Sequence, residues 1–190
     1  RQASSLEGTC ASFTFGHTST TLSRINGSIA LSKTQGNLQL DLSLFAGRSI
    51  RSDQMFSDYL TGRLDHSFDM TDQSGLAPLQ LNLGLSVGGS TARLFVDRYT
   101  VTDRTHYGFN LPSAVPVNFE TILFNIQHDF IISDSLTLVP SYTFKRNVPW
   151  ETREADYEPP VYQDKWTVRH KISCSLDYVP SDKVSMKSGM

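Results

Sequence analysis

The chain has 190 residues, of which 38% are hydrophobic and 19% charged, with 17 basic side chains, 19 acidic ones and a net charge of −2. That length suits one domain or part of a larger one. Its charge lies below the ~25% usual in soluble domains, and the lack of a basic run argues against nucleic acid as a partner. No stretch of eighteen consecutive apolar residues is present, so no transmembrane helix is predicted.

Taken in chain order, the sequence alternates with period two almost throughout and carries no helical stripe. Residues 1–20 are a Ser/Thr-rich lead holding one strand-like run, with neither an initiating methionine nor a signal-peptide core. The lead therefore reads as the start of a processed product or a fragment. Ile25, Gly27, Ile29 and Leu31 form the first clear run, and "KTQGN" turns the chain into "LQLDLSLF". There Leu38, Leu40, Leu42 and Leu44 oppose Gln39, Asp41 and Ser43. "YLTGRLDHSFDM" (59–70) predicts a third strand, with Leu60, Leu64, His66 and Phe68 opposite Arg63 and Asp65. The cleanest run follows, where Leu79, Leu81, Leu83, Leu85 and Val87 oppose Gln80, Asn82, Gly84 and Ser86.

In "TARLFVDRYTV" Leu94 and Val96 oppose Arg93 and Asp97, while Phe95 and Tyr99 fall on the charged face. "TILFNIQHDF" sets Ile122, Phe124, Ile126, His128 and Phe130 against Asn125, Gln127 and Asp129. "SLTLVPSYTF" follows; Pro140 lacks an amide hydrogen, so it requires an edge, a bulge or a local break in the ladder. The longest run places Trp166, Val168, His170, Ile172, Cys174, Leu176 and Tyr178 opposite Arg169, Lys171, Ser173, Ser175 and Asp177. "KVSMKSGM" begins one more. The expectation is a single all-β domain over residues 1–190, with about 8–10 strands.

Connections add a second signal. "ISDS" and "PSDK" are tight turns, whereas 102–118 and 145–165, rich in Pro and aromatics, read as long loops. Tight turns at one end and long loops at the other suit a barrel whose ends face different compartments. The joins around 59–70 fit this scheme less well.

Alternation alone serves a soluble β-sandwich or jelly roll as well as a membrane barrel, so strand length and end chemistry must decide. From Trp166 to Tyr178 a strand covers roughly 40 Å at about 3.3 Å per residue. Tilted by ~45°, it spans about 28 Å, near the ~25 Å apolar band of an outer-membrane wall. Trp166 and Tyr178 would then lie at the two membrane interfaces, where amphipathic rings are favoured. The expected fold is thus an antiparallel up-and-down transmembrane β-barrel or a segment of one; a soluble secreted or periplasmic β-sandwich binding glycan or protein is the alternative. Asp41, Arg63, Asp65, Arg93, Asp97, Arg169 and Lys171 are the lumen-lining candidates. His66, His128 and His170 cut against a lipid-facing wall, because all three fall on apolar faces.

Residues "FNIQHDFIISDSLTLVPSYTFKRN" (124–147) and "ISCSLDYVPSDKVSMKSG" (172–189) resemble barrel hairpins of TonB-dependent outer-membrane receptors. The shared features are an aromatic with Gln and an acid, a Ser-Asp or Pro-x-Asp turn, and a following "LTL"-type strand. The resemblance lies mainly within 119–190 and implies transport or ligand recognition at the bacterial outer membrane. The TonB-contacting segment, a plug domain and a C-terminal aromatic, all common in that family, have no counterpart in these 190 residues.

Motifs for nucleophilic, phosphate-binding, dinucleotide or zinc chemistry are absent. Three histidines from three strands could ligate zinc, and Glu151, Glu154, Asp156 and Glu158 could hold a divalent cation, but no spacing requires either. Neither a metal nor another cofactor is expected, and no catalytic residue. A lipid-modifying barrel enzyme would need a Ser or Asp beside His17 or His106. Tyr107, Phe109, Trp150, Tyr157 and Tyr162 on the presumed long loops are the recognition candidates. The expected partners are outer-membrane lipid, a small solute or ligand, and other chains completing an assembly. Cys10 and Cys174 fit two free thiols or one disulfide.

Overall fold

The computed structural model describes residues 7–18, 21–57, 67–106, 109–154, 161–181 and 184–189. Its strands in chain order are β1 (Gly8–His17), β2 (Leu22–Gln35), β3 (Leu38–Ile50), β4 (Met55–Ser57), β5 (Ser67–Asp69) and β6 (Gly75–Val87). They continue with β7 (Ser90–His106), β8 (Phe109–His128), β9 (Phe130–Ser133), β10 (Leu136–Glu154), β11 (Val161–Ser181) and β12 (Val184–Gly189). No helix occurs among the described residues, and hence none long and apolar enough to cross a membrane.

One ten-stranded sheet takes in all but β4 and β5, in the order β1-β2-β3-β6-β7-β8-β10-β11-β12, with β9 also paired to β10. Every pair is antiparallel. Apart from the separate β4–β5 hairpin, and with β9 lying beside β10 off the main path, strands follow one another across the sheet in chain order, which is up-and-down topology. The sheet is open, because β1 and β12 are not paired with each other.

The registers keep the two periodic faces in phase across the whole width. Ile29 pairs with Leu44, Leu44 with Leu81, and Leu81 with Val96. From there Val96 pairs with Ile122, Phe124 with Phe144, and Tyr142 with Ile172. A slip of one residue in any pair would throw its leucines onto the polar side, and none of these pairs slips. Spans such as Leu38–Ala46 and Leu79–Val87 hold the apolar stripe over about nine residues.

Nothing among the described residues stacks on that stripe. Large apolar side chains along it are exposed, among them Phe13, Ile29, Leu85, Ile126, Trp166 and Ile172, the last at 83%. Val115, Val117 and Val148 alone of the hydrophobic side chains are buried among the described residues. The chain exposes 13520 Å², where a folded monomer of 21.2 kDa would expose about 9,100 Å². The described residues form one sheet and one small hairpin, with no second sheet packed on either.

Three tight turns share one end of the sheet: Gly36–Asn37, Gly88–Gly89 and Asp134–Ser135. Gly88 and Gly89 have φ of 53° and 82°, the left-handed values that a two-residue hairpin turn needs and that glycine adopts without strain. The opposite end carries Thr18 and Thr21, the described residues 51–57 and 67–74, and the far ends of the β7–β8 and β10–β11 pairs.

Two sequence expectations are corrected. The run at 59–70 is not a wall strand in its described part: residues 67–69 pair with 55–57 in a separate hairpin, while β3 pairs directly with β6. Phe56 and Phe68 pack with ring centroids 5.0 Å apart across that hairpin; residues 59–66 lie outside the described residues. The stretches 102–118 and 145–165 are also not simple loops. β7 pairs with β8 up to His106–Phe109, and β10 with β11 up to Glu154–Val161. Register shifts at Asp103/Thr105 and Asn147/Trp150 change the phase of the alternation, which hides the strands from a period-two reading.

Pro140 behaves as its chemistry demands. β10 pairs with β9 at Leu136–Leu138 and with β8 from Ser141 onward, so Pro140 falls in the gap between them. There β8 breaks at Asp129, whose amide donates instead to the Gly89 carbonyl at 3.0 Å.

Candidate functional site: the polar face of the sheet

The side opposite the leucines is built from small hydroxyl and amide residues joined across strands. Ser12 and Ser28 hydroxyls lie 2.7 Å apart, Asn125 Nδ2 donates to Thr143 Oγ1 at 2.9 Å, and Thr121 Oγ1 donates to Asn147 Oδ1 at 2.8 Å. Ser141 and Ser173 hydroxyls are 2.9 Å apart. Short polar side chains opposite one another satisfy each other while leaving hydrogen-bonding capacity toward water.

Of the charged candidates, Asp41 accepts from Ser32 Oγ at 2.6 Å and from Gln39 Nε2 at 2.9 Å. Arg93 Nε donates to Asn82 Oδ1 at 3.0 Å. Asp97 pairs in register with Gln80 and Thr121. Arg169 lies directly opposite Lys145, and Lys171 opposite Thr143. All five described candidates therefore occupy one face, as the alternation implied. Arg63 and Asp65 lie outside the described residues, as does His66. Lys145 was not among the candidates, although it continues the same alternation in "YTFKRN".

Four concavities open on this face. The largest, about 700 Å³, lies toward the tight-turn end between β8 and β12 and is lined by Gln127, Thr137, Ser141, Lys171, Ser173 and Asp177 among others. Lys187 Nζ donates to Asp177 Oδ2 at 3.2 Å, and Asp177 Oδ1 is buried without a hydrogen-bond partner. Two smaller hollows flank Asp41, one shared with Ser32 and Ser43, the other with Asn82 and Arg93. A fourth lies beside Asp97 and the Tyr99–Phe119 stack, whose ring centroids are 4.6 Å apart.

The apolar face ends in polar residues at its margins. Lys33 and His128 lie toward the tight turns; Arg98 pairs with Glu120 toward the other end, where Glu120 is also ion-paired with Arg146. His128 Nδ1 is 2.7 Å from Ser90 Oγ, beside the Gly88–Gly89 turn. His170 lies farther along, with Nδ1 2.9 Å from Tyr142 Oη and its ring against Phe144. Each of these two histidines has a polar partner on its own face, and no cluster of metal-ligating side chains occurs among the described residues. Trp166 and Tyr178 are both exposed on the apolar face.

The recognition candidates do not gather into a described site. Tyr107 and Tyr157 lie outside the described residues; Phe109, Trp150 and Tyr162 fall on the extended ends of β8, β10 and β11. Asp156 and Glu158 of the acidic loop also lie outside, and Glu154 ends β10. His17 Nδ1 is bonded to the Thr18 carbonyl, and His106 ends β7. Cys10 and Cys174 are free and exposed; register places Cys10 opposite Ala30 on the polar face and Cys174 opposite Pro140 on the apolar one. In the 51–74 connection, backbone and side-chain hydrogen bonds from Thr71 hold the Asp69 carboxyl below the usual carboxylate range. That support is present at neutral pH and is lost as pH falls through the lowered value.

The fold and its two-faced chemistry define an all-β, antiparallel, up-and-down sheet with one apolar and one hydrogen-bonded polar side. No family model, curated protein or solved structure matches the chain.

Proposed function

We propose that the chain is the wall, or a stretch of the wall, of an outer-membrane β-barrel, with its leucine face toward lipid and its polar face toward an aqueous lumen. In this reading the barrel conducts or captures a small solute. The observation that carries it is the apolar face, in register over the sheet's width and covered by nothing among the described residues. Such a surface suits water poorly: monomeric soluble proteins rarely expose apolar patches beyond a few hundred Å². Hydrocarbon suits it better, because the leucines then remain in an apolar medium while the antiparallel ladder satisfies the backbone.

Three further features support the reading. Apolar spans of about nine residues meet the ~9–11 that a tilted membrane strand requires. Tight turns at one end and tall connections at the other match the asymmetry of outer-membrane barrels. Lys33, His128, Arg98 and Glu120 at the margins of the stripe are placed to meet the interface, while His170, midway along it opposite Phe144, finds its polar partner within the face in Tyr142 Oη. The hairpin resemblance to TonB-dependent receptors over 119–190 belongs to the same proposal, as does solute passage by way of the polar lining. No arrangement among the described residues favours catalysis.

Flotation of the refolded chain with zwitterionic lipid vesicles tests this. The reading expects it to float with the lipid, to resist extraction by high salt and alkali, and to need detergent for release. A chain that stays monomeric and folded in plain buffer, without lipid or detergent, would refute it.

A further inference from the structure

Charge on the polar face is uneven. Lys145 of β10 is directly opposite Arg169 of β11, and Lys171 is two residues along β11, opposite Thr143. All three side chains are exposed. Neighbouring strands are about 4.8 Å apart and alternate residues about 6.6 Å apart, so three cationic residues neighbour one another on one face. Their neighbours on β8, Leu123 and Asn125, are uncharged. Asp129, Asp134 and Asp177 line the same hollow as Lys171 toward the tight turns, but Asp177 is held by Lys187 and none of them is ion-paired with Lys171; Asp97 lies on β7, on the far side of β8 from Lys145. Like charges directly opposite in a sheet repel, and no carboxylate among the described residues relieves these three.

We infer that Lys145, Arg169 and Lys171 form a binding step for the oxyanion group of a soluble anionic solute, a phosphate or carboxylate. The chemistry fits that class. Arginine presents a planar fork that two oxygens of one anion can meet, and lysine adds a point charge beside it. Thr143 accepts from Asn125 Nδ2, which leaves its own hydroxyl hydrogen free to donate to the same anion. The placement of this site in a lumen rests on the barrel reading above; the cationic triplet itself rests only on register. Within a narrow polar passage such a cluster concentrates anions and slows cations, because low-dielectric walls focus its field.

Inorganic phosphate is the probe. The chain is refolded into zwitterionic vesicles and titrated with phosphate or with chloride at matched ionic strength, reading the urea unfolding midpoint and the 31P line width. Saturable stabilisation by phosphate and not by chloride is expected, with at least tenfold weaker binding in K145Q/R169Q. In chloride that double variant should be as stable as the parent, or more so, since it removes a repulsion. Lys33→Gln, a cation on the other face, should bind phosphate like the parent. Equal responses to both salts, or full binding by the double variant, would overturn the inference. Interaction with anionic-lipid vesicles without any response to free phosphate would overturn it too, since it would mark a headgroup contact. Specific phosphate binding by a chain that fails to float with lipid would sink the membrane reading and leave the anion site standing.

Discussion

Neighbouring side chains on one strand have opposite solvents in this account, and Leu42 and Ser43 pose that question most simply. Leu42 pairs with Leu31 and Leu83, Ser43 with Ala30 and Asn82. Leu42→Arg would put a charge midway along the leucine stripe and should cost about 2–4 kcal/mol in vesicles. Ser43→Arg, one residue away and next to Asp41, should cost less than about 1 kcal/mol; urea titration of both variants measures the difference. Equal costs would mean that the faces share one environment. At the Gly88–Gly89 turn the backbone decides. A β-branched residue at φ 82° is strained by its backbone alone, since a Cβ at Gly89 would meet the Asp129 carbonyl oxygen only in ordinary contact at 3.4 Å. Gly89→Val should therefore lose on the order of 1–2 kcal/mol, whereas Gly88→Asn should be nearly neutral, because asparagine tolerates the left-handed region. Residues of this kind were legible beforehand. Period two placed Asp41, Arg93, Asp97, Arg169 and Lys171 on one face, and the missing amide of Pro140 located a break in the ladder.

Among elements, the 51–74 connection shows where sequence reading fails and why. Its alternating run at 59–70 has the composition of a wall strand, yet the neighbouring places in the sheet are filled by the direct pairing of β3 with β6. Pairing over such a distance is a tertiary choice, and alternation within one segment carries no information about it. What holds the connection is equally hidden in sequence. Ser74 is fully buried; its hydroxyl accepts from the Arg51 and Ser52 amides at 3.2 and 3.0 Å and donates to the Ser52 carbonyl at 2.9 Å. Arg51 adds a bond from Nη2 to the Thr102 carbonyl at 2.7 Å. Ser74→Ala would leave the Ser52 amide without an acceptor and the Ser52 carbonyl without its donor, while the Arg51 amide keeps the Ser74 carbonyl at 2.9 Å, a loss of about 1–3 kcal/mol confined to this connection. Limited proteolysis should then cut within 51–74 several-fold faster while the far-ultraviolet circular dichroism of the sheet is unchanged. A loss of strand signal instead would mean that the connection supports the wall itself. Likewise, the extended ends of β7, β8, β10 and β11 escaped notice because their bulges shift the phase of alternation, while Pro and aromatic content imitates a loop.

For the whole molecule, topology bears on how such a sheet is completed. Nine strands lie on the hydrogen-bonded path, so β1 and β12 run in the same direction. Joining them directly would create the sheet's sole parallel pair, and antiparallel closure needs another strand between them. An unsealed edge is tolerable in water but costly in hydrocarbon, where each unpaired backbone group loses its partner. All of this depends on which side meets lipid, and the chain's own two cysteines report on it without mutation. Cys10 is on the polar face of β1, and Cys174 is on the apolar face of β11, between Ile172 and Leu176. Refolded in vesicles and treated with a charged, water-soluble thiol reagent, the protein should be modified at Cys10 and protected at Cys174 until detergent is added. Modification of Cys174 as fast as Cys10 in intact bilayers would contradict the account.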